Sequence, residues 1–212
     1  MPSLHHWATA RSLRRDAIKR LVRHVPMAVG LAVSLSRAGV AQDEPPPQKA
    51  VSLGVLGGVS IPAHVSSDVL DIGWNVTGEF LLNLDKLTAL RVDLSYEHFG
   101  FVTSGRFESG SAHTFGGTAG LRLNLLEGGR VKPYLVVGLG AFNLTTDGVT
   151  RGGANLSSNA TGFGFDAGLG LSVALKRVEL HFVTTLLNIF VSESPIPSDN
   201  VYIVPIAVGV MF

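Results

Sequence analysis

Residues 162–173 read Gly-Phe-Gly-Phe-Asp-Ala-Gly-Leu-Gly-Leu-Ser-Val, and an apolar side chain occupies every second position. Successive side chains of a β-strand point to opposite faces. One face of this segment is therefore uncharged and apolar from Phe163 to Val173, while the other carries glycines and Asp166. The alternation predicts a strand that separates an apolar environment from a polar one.

The same alternation recurs in about eight segments of roughly ten residues from Ala50 onward. No segment places Asp, Glu, Lys or Arg on its apolar face, whereas Leu56, Leu81 and Ile203 are expected to point inward as exceptions. The fifth segment, residues 131–144, is ambiguous. Its glycines favour outward positions for Leu135, Val137 and Leu139. The aromatic residues expected outside near strand ends, as in an interfacial girdle, are Trp74, Tyr96, Phe115, Phe163 and Tyr202.

Composition agrees with a membrane location. Of 212 residues 46% are hydrophobic and only 16% are charged, with a mean hydropathy of +0.33, yet no apolar run reaches about 18 residues. Residues 1–41 hold seven of the 17 Lys and Arg residues and one of the 16 Asp and Glu residues. The remainder carries a formal charge of about −5, so a nucleic-acid partner is not indicated.

The first 41 residues are predicted to be a secretory signal peptide. A basic region precedes the apolar segment Val25–Leu35, and Ala38-Gly39-Val40-Ala41 supplies a small-residue cleavage site after Ala41. A transmembrane anchor is the alternative, but the apolar segment is too short to span a bilayer. Residues 42–49 form a Pro-rich spacer, and residues 50–212 the barrel domain.

Connections between the segments alternate between short and long. The short turns are Asp85-Lys86, Glu127–Arg130 and Lys176-Arg177; the longer loops are Pro62–Leu70, Gly100–Gly110, Thr145–Ala160 and Val191–Asn200. With both termini in the periplasm, all short turns are periplasmic and all long loops extracellular, which is typical of outer-membrane barrels. The predicted fold is all-β: an eight-stranded antiparallel up-and-down transmembrane β-barrel. A soluble barrel or sandwich is the alternative, with the apolar face inside.

Three stretches carry a family likeness: Lys132–Gly140, Gly162–Gly170 and Val204–Phe212. They resemble strands of the small OmpA/OmpX-type outer-membrane β-barrels, and the likeness extends over about residues 50 to 212. The resemblance implies insertion among outer-membrane lipids of a Gram-negative-type envelope. It also implies that the last strand is an assembly signal for the barrel-assembly machinery, formed by Tyr202, Val204, Ile206, Val208, Val210 and Phe212.

Charged residues on the polar face are expected inside the barrel. An eight-stranded barrel has an interior just wide enough for side chains to fill. The predicted lumenal charge network consists of Glu79, Arg91, Asp93, Glu97, Arg122, Asp166, Glu179 and His181. Paired charges of this kind satisfy one another where water is scarce. A narrow pore lined by the same residues is the alternative.

An enzyme is the hypothesis from another class. Lipid A deacylases of similar architecture use a His-x-Ser pair, and His64-Val65-Ser66 has that spacing. The motif lies in the first loop, whereas the family pattern places it late in the barrel. No metal, cofactor or nucleotide motif is present in the sequence. We therefore expect a structural or surface-interaction barrel without catalysis, whose loop Thr145–Ala160 meets an unknown extracellular ligand.

Overall fold

The computed structural model describes residues 49–102, 107–150, 155–175, 177–191 and 200–212. The predicted signal peptide and most of the predicted spacer lie outside these ranges. Eight strands form a closed barrel in which each strand pairs antiparallel with the next and the last pairs with the first. The strands are β1 Val51–Ala63, β2 Gly73–Asn83, β3 Thr88–Gly100, β4 Phe107–Asn124, β5 Val131–Thr150, β6 Asn155–Ala174, β7 Glu179–Phe190 and β8 Asn200–Met211. The predicted fold class is confirmed.

The outer surface of the barrel is apolar, as the alternation predicts. Leu135, Val137 and Leu139 of the ambiguous fifth segment point outward and are exposed, whereas Leu56 and Ile203 point inward and are buried. Among the described residues, no helix is long and apolar enough to cross a membrane. Which face of each strand points outward therefore follows from one rule: hydrocarbon covers the apolar face.

Short turns lie at one end of the barrel, between β2 and β3, β4 and β5, and β6 and β7. We call this the turn end. The opposite, or loop, end carries the other four connections. Only those between β1 and β2 and between β7 and β8 are longer than every connection at the turn end, and the first of them includes a short 3₁₀ helix at His64–Asp68.

The interpretation of Thr145–Ala160 as a loop is wrong. β5 continues to Thr150 and β6 begins at Asn155, and the two strands stay paired as far as Val149 and Asn155. Polar side chains on the outer face hydrogen-bond across the strands, with Asn143 Nδ2 donating to Asn159 Oδ1 at 2.7 Å. The Gly-, Asn- and Thr-rich composition is therefore that of a solvated strand pair. The second predicted loop is also shorter than expected, because β4 already begins at Phe107.

A carboxylate organises the turn between β2 and β3. Asp85 Oδ1 accepts hydrogen bonds from the backbone N–H groups of Leu87 at 2.7 Å and Thr88 at 2.8 Å. These bonds favour the charged form and lower the pKa of Asp85 below its usual 3.8. The turn is therefore held best when the carboxylate is ionised.

Replacing Asp85 by Ala should lower the free energy of unfolding at pH 7, because both backbone donors lose their acceptor. Because the pKa of Asp85 is lower in the folded than in the unfolded protein, its carboxylate stabilises the fold at pH values above the unfolded pKa of 3.8. This contribution is lost as the pH falls through the pKa of the folded protein. Urea unfolding from lipid vesicles should thus show a difference between Asp85→Ala and wild type at pH 7 that shrinks below pH 3.8. A difference independent of pH would contradict this role.

Replacing Val137 by Arg should destabilise the barrel by about 2–4 kcal/mol, because a cation is placed against the hydrocarbon midplane. Val149→Arg is the matched control: the same substitution on the outward face of the same strand, beyond the apolar band. Urea unfolding in vesicles should separate the two variants. Equal effects would mean that Val137 does not face lipid.

Candidate functional site

The interior of the barrel is the candidate site, and its side chains fall into three layers. We call them the apolar plug at the loop end, the central cluster around Arg91, and the vestibule at the turn end. Six of the eight predicted charge-network residues are buried; the side chains of Asp93 and Glu179 remain 16% and 32% exposed. The network predicted as one unit is thus distributed along the barrel.

The apolar plug consists of Leu70, Phe99, Ala112, Phe142, Leu144, Ala160, Leu187, Ile189, Val191, Val201 and Ile203. Phe142 lies between Gly116 and Gly164 of the neighbouring strands. A Cβ atom at either glycine would collide with the Phe142 ring. The inner glycines therefore make room for large side chains that cross the lumen, and the upper interior is a packed core.

Sequence reasoning missed most of this plug. It treated Leu56, Leu81 and Ile203 as isolated exceptions to a polar interior. The available signal was the run Leu186-Leu187 followed by Ile189 and Phe190, which is apolar on both faces. Such a run indicates a strand buried on two sides.

The central cluster joins one guanidinium to several carboxylates. Arg91 Nε lies 3.1 Å from Asp93 Oδ2, and Arg91 Nη2 forms an ion pair with Asp166 across the lumen. Glu79 lies opposite Asp93 in the register of β2 and β3. Gly138 is opposite Asp166, and a Cβ there would stand 2.5 Å from Asp166 Oδ1. The glycine thus leaves the space that the ion pair occupies.

Glu97 lies apart from the Arg91 ion pairs. It is buried opposite Asn75, whose Nδ2 donates to Ser60 Oγ at 3.0 Å, and Ser60 also hydrogen-bonds Glu97. Glu97 is therefore held by Ser60 of β1, which in turn accepts the hydrogen bond from Asn75 of β2.

Arg122 is the central residue of the vestibule. Its guanidinium stacks over the ring of Tyr134 at 3.9 Å from the centroid. It donates to Asn124 Oδ1 at 3.1 Å and Ser172 Oγ at 3.2 Å, and Nη1 lies 3.4 Å from the His181 ring nitrogens. These contacts hold the buried guanidinium by an aromatic ring, an amide, a hydroxyl and an imidazole.

Glu179 connects the vestibule to its rim. Its Oε2 lies 3.3 Å from His181 Nε2, and its Oε1 lies 4.0 Å from Lys132 Nζ. Sequence reasoning placed Glu179 and His181 in the lumen but did not include Lys132. Lys132 is a rim residue that precedes Pro133, outside the clear alternation.

The predicted assembly signal lies on the outer face of β8 and at Phe212, which directly follows the strand. Val208 and Phe212 are exposed, and Tyr202 is partly exposed. This placement leaves the residues facing lipid, but recognition by the assembly machinery stays a prediction.

His64 and Ser66 do not form a nucleophile and base pair. Ser66 is fully buried, and its Oγ accepts a hydrogen bond from the Tyr202 N–H at 3.1 Å. His64 is exposed with its ring 5.6 Å from that of Tyr202. The described residues also contain no group of three or more His, Cys, Asp or Glu that could hold a metal ion.

Comparison with known proteins agrees with this architecture. The family model described as outer membrane protein beta-barrel domain matches residues 27–203. The chain belongs to this outer-membrane β-barrel family. It is an integral outer-membrane protein.

Three solved structures illustrate the likeness. Neisserial surface protein A is 17% identical with a TM-score of 0.53, and the match covers 77% of this chain and 96% of that one. A major outer membrane protein from Thermus thermophilus is 9% identical with a TM-score of 0.49, covering 77% and 99%. The Yersinia pestis attachment invasion locus protein Ail is 13% identical with a TM-score of 0.47, covering 78% and 100%. The similarity to Neisserial surface protein A concerns the fold alone. A search of curated proteins found no match.

Replacing Arg91 by Met should destabilise the barrel by about 3–5 kcal/mol, because the nearby carboxylates lose their shared cation. Adding Asp166→Asn should recover part of this loss by removing one of the unpaired charges. Urea unfolding of the single and double variants measures the coupling. If the double variant loses the sum of the two single effects, Arg91 and Asp166 do not act as a pair.

Proposed function

We propose that this protein is a closed, membrane-anchored barrel that makes adhesive contacts through a ribbon standing above the outer leaflet. The ribbon consists of residues 141–150 of β5 and 155–163 of β6. Its length is the observation that carries the proposal. β5 and β6 are each 20 residues long, whereas a tilted strand crosses a bilayer with about 9–11.

The surface chemistry of the ribbon suits contact with another molecule. Above Ala141 and Phe163, the outward side chains change from apolar to polar, and Asn143, Asn159 and Thr161 share hydrogen bonds. These neutral groups expose donors and acceptors in a paired scaffold.

The ribbon also presents a backbone edge. β7 pairs with β6 from Phe163 to Ala174, so Asn155–Gly162 has no second strand partner among the described residues. A free strand edge can accept an added strand from another chain. The proposed partner is therefore a protein segment able to extend along β6.

The packed interior supports the function of a closed barrel rather than that of a pore. The apolar plug fills the loop-end half of the lumen, and the cavity lined by the central cluster measures only about 70 Å³. The contacts of Ser66 with Tyr202 likewise support a non-catalytic role. Neither alternative function has a specific feature in its favour.

Export and assembly complete the proposal. Residues 1–41 would act as the cleaved signal peptide. The outward face of β8 would then be the signal read by the barrel-assembly machinery.

Removing the ribbon should abolish adhesion while the barrel still folds. Leu144 and Ala160 are directly opposite, so replacing residues 145–159 by Asn-Gly closes the hairpin with a two-residue turn. Cells with this variant should bind immobilised matrix proteins and sister cells at least about tenfold less than wild type. Heat-modifiable gel migration checks folding, and surface labelling checks equal amounts.

The matched control replaces only residues 151–154, which join β5 to β6 in the sequence, by Gly-Ser-Gly-Ser. Adhesion should persist, since both strands of the ribbon remain. Equal adhesion by wild-type and ribbonless cells, or no adhesion by wild type, would contradict the proposal. Steady single-channel current through the wild-type barrel in planar bilayers would make the pore the better function.

A further inference from the structure

The vestibule is a cavity of about 440 Å³ at the turn end of the barrel. Its volume lies within the range of about 300–1,000 Å³ found for small-molecule sites. The charged side chains of its lining are Lys49, Arg122, Lys132, Arg177 and Glu179. Basic groups therefore outnumber acidic ones by four to one in this lining.

Arg122 gives the vestibule a buried cation without a carboxylate contact. It is 3% exposed, and its hydrogen bonds run to Asn124 and Ser172, with the His181 ring beside it. No described carboxylate lies within 4.0 Å of it. A buried charge is costly unless an opposite charge accompanies it.

The acidic groups nearby do not balance this excess. Glu179 contacts His181 and Lys132, and the charge of Arg122 also acts on it, so the basic groups of the lining share one carboxylate. The field inside a cleft lined by one sign of charge concentrates ions of the opposite sign.

Neutral donors lie in the same lining. Ser52 and the amides of Asn83 and Asn124 border the cavity. Each amide nitrogen donates one N–H to a backbone carbonyl, that of Lys49 or Lys86, and keeps a second N–H. Guanidinium, ammonium and amide N–H groups together are the usual ligands of phosphate and carboxylate oxygens. The vestibule thus combines an excess of positive charge with hydrogen-bond donors.

We propose that the vestibule is a binding site for a small oxyanion, either a phosphate or a carboxylate group, that enters from the turn end. Arg122 supplies the fixed charge at its inner end, and Lys132 closes on the anion from the rim. Glu179 opposes binding, because it competes for Lys132 and repels the ligand. This site is independent of the ribbon at the loop end.

Calorimetric titration of the purified barrel in zwitterionic detergent at low salt tests the proposal. Wild type should bind inorganic phosphate or acetate saturably, and the better of the two probes identifies the ligand class. Lys132→Gln should weaken binding roughly tenfold through the lost charge. Glu179→Gln should strengthen binding severalfold, since it frees Lys132 and removes a repulsive charge.

Lys86→Gln is the matched control, because it removes the same charge from a turn-end residue outside the lining. It should leave binding unchanged. Arg122 is avoided because its replacement could prevent folding, and heat-modifiable migration verifies every variant. If wild type binds neither anion saturably, the proposal is overturned. Equal weakening by Lys132→Gln and Lys86→Gln, or unaltered binding by Glu179→Gln, also overturns it.

Discussion

Backbone hydrogen bonding in hydrocarbon is the constraint on which this structure depends. A strand edge exposed to lipid would leave N–H and C=O groups unpaired at a cost of several kcal/mol each, so a membrane sheet must close. Closure of β1 onto β8 meets this condition along Gly54–Ala63. Once the sheet closes with one face to lipid, the pleat assigns every side chain to lipid or lumen. The barrel interior, with its plug, ion pairs and vestibule, follows from that assignment.

The narrow lumen has room for a bulky side chain only where a glycine lies beside it on a neighbouring strand. Phe142 fits because Gly116 and Gly164 flank it, and the pair of Arg91 and Asp166 fits because Gly138 faces it. Glycines on the polar face are therefore complements of large neighbours on adjacent strands. This close packing of the interior supports the proposal of a closed barrel over that of a pore.

Period-two alternation made the fold and the facing of most strands predictable, because a one-residue slip would expose charges to lipid. It could not predict which inward residues meet, since that depends on the stagger between strands. The eight residues of the predicted charge network thus separated into Arg91 with its carboxylates, Glu97 with Ser60, and Arg122 with His181. The extent of β5 and β6 was also missed. Polar strand residues in water resemble loop residues when judged by composition alone.

The two ends of the lumen differ in chemistry, and this difference has a physical consequence. The loop end is filled by apolar side chains such as Phe99 and Ile189, while the turn end opens into a basic vestibule. Beyond Arg122, the described interior consists of the central cluster with its cavity of about 70 Å³ and then the apolar plug, which supports the proposal of a closed barrel. At the loop end, the sealed core supports β5 and β6 where they leave the membrane. The two proposed interactions therefore use separate residues: the ribbon of β5 and β6 at the loop end, and the vestibule lining at the turn end.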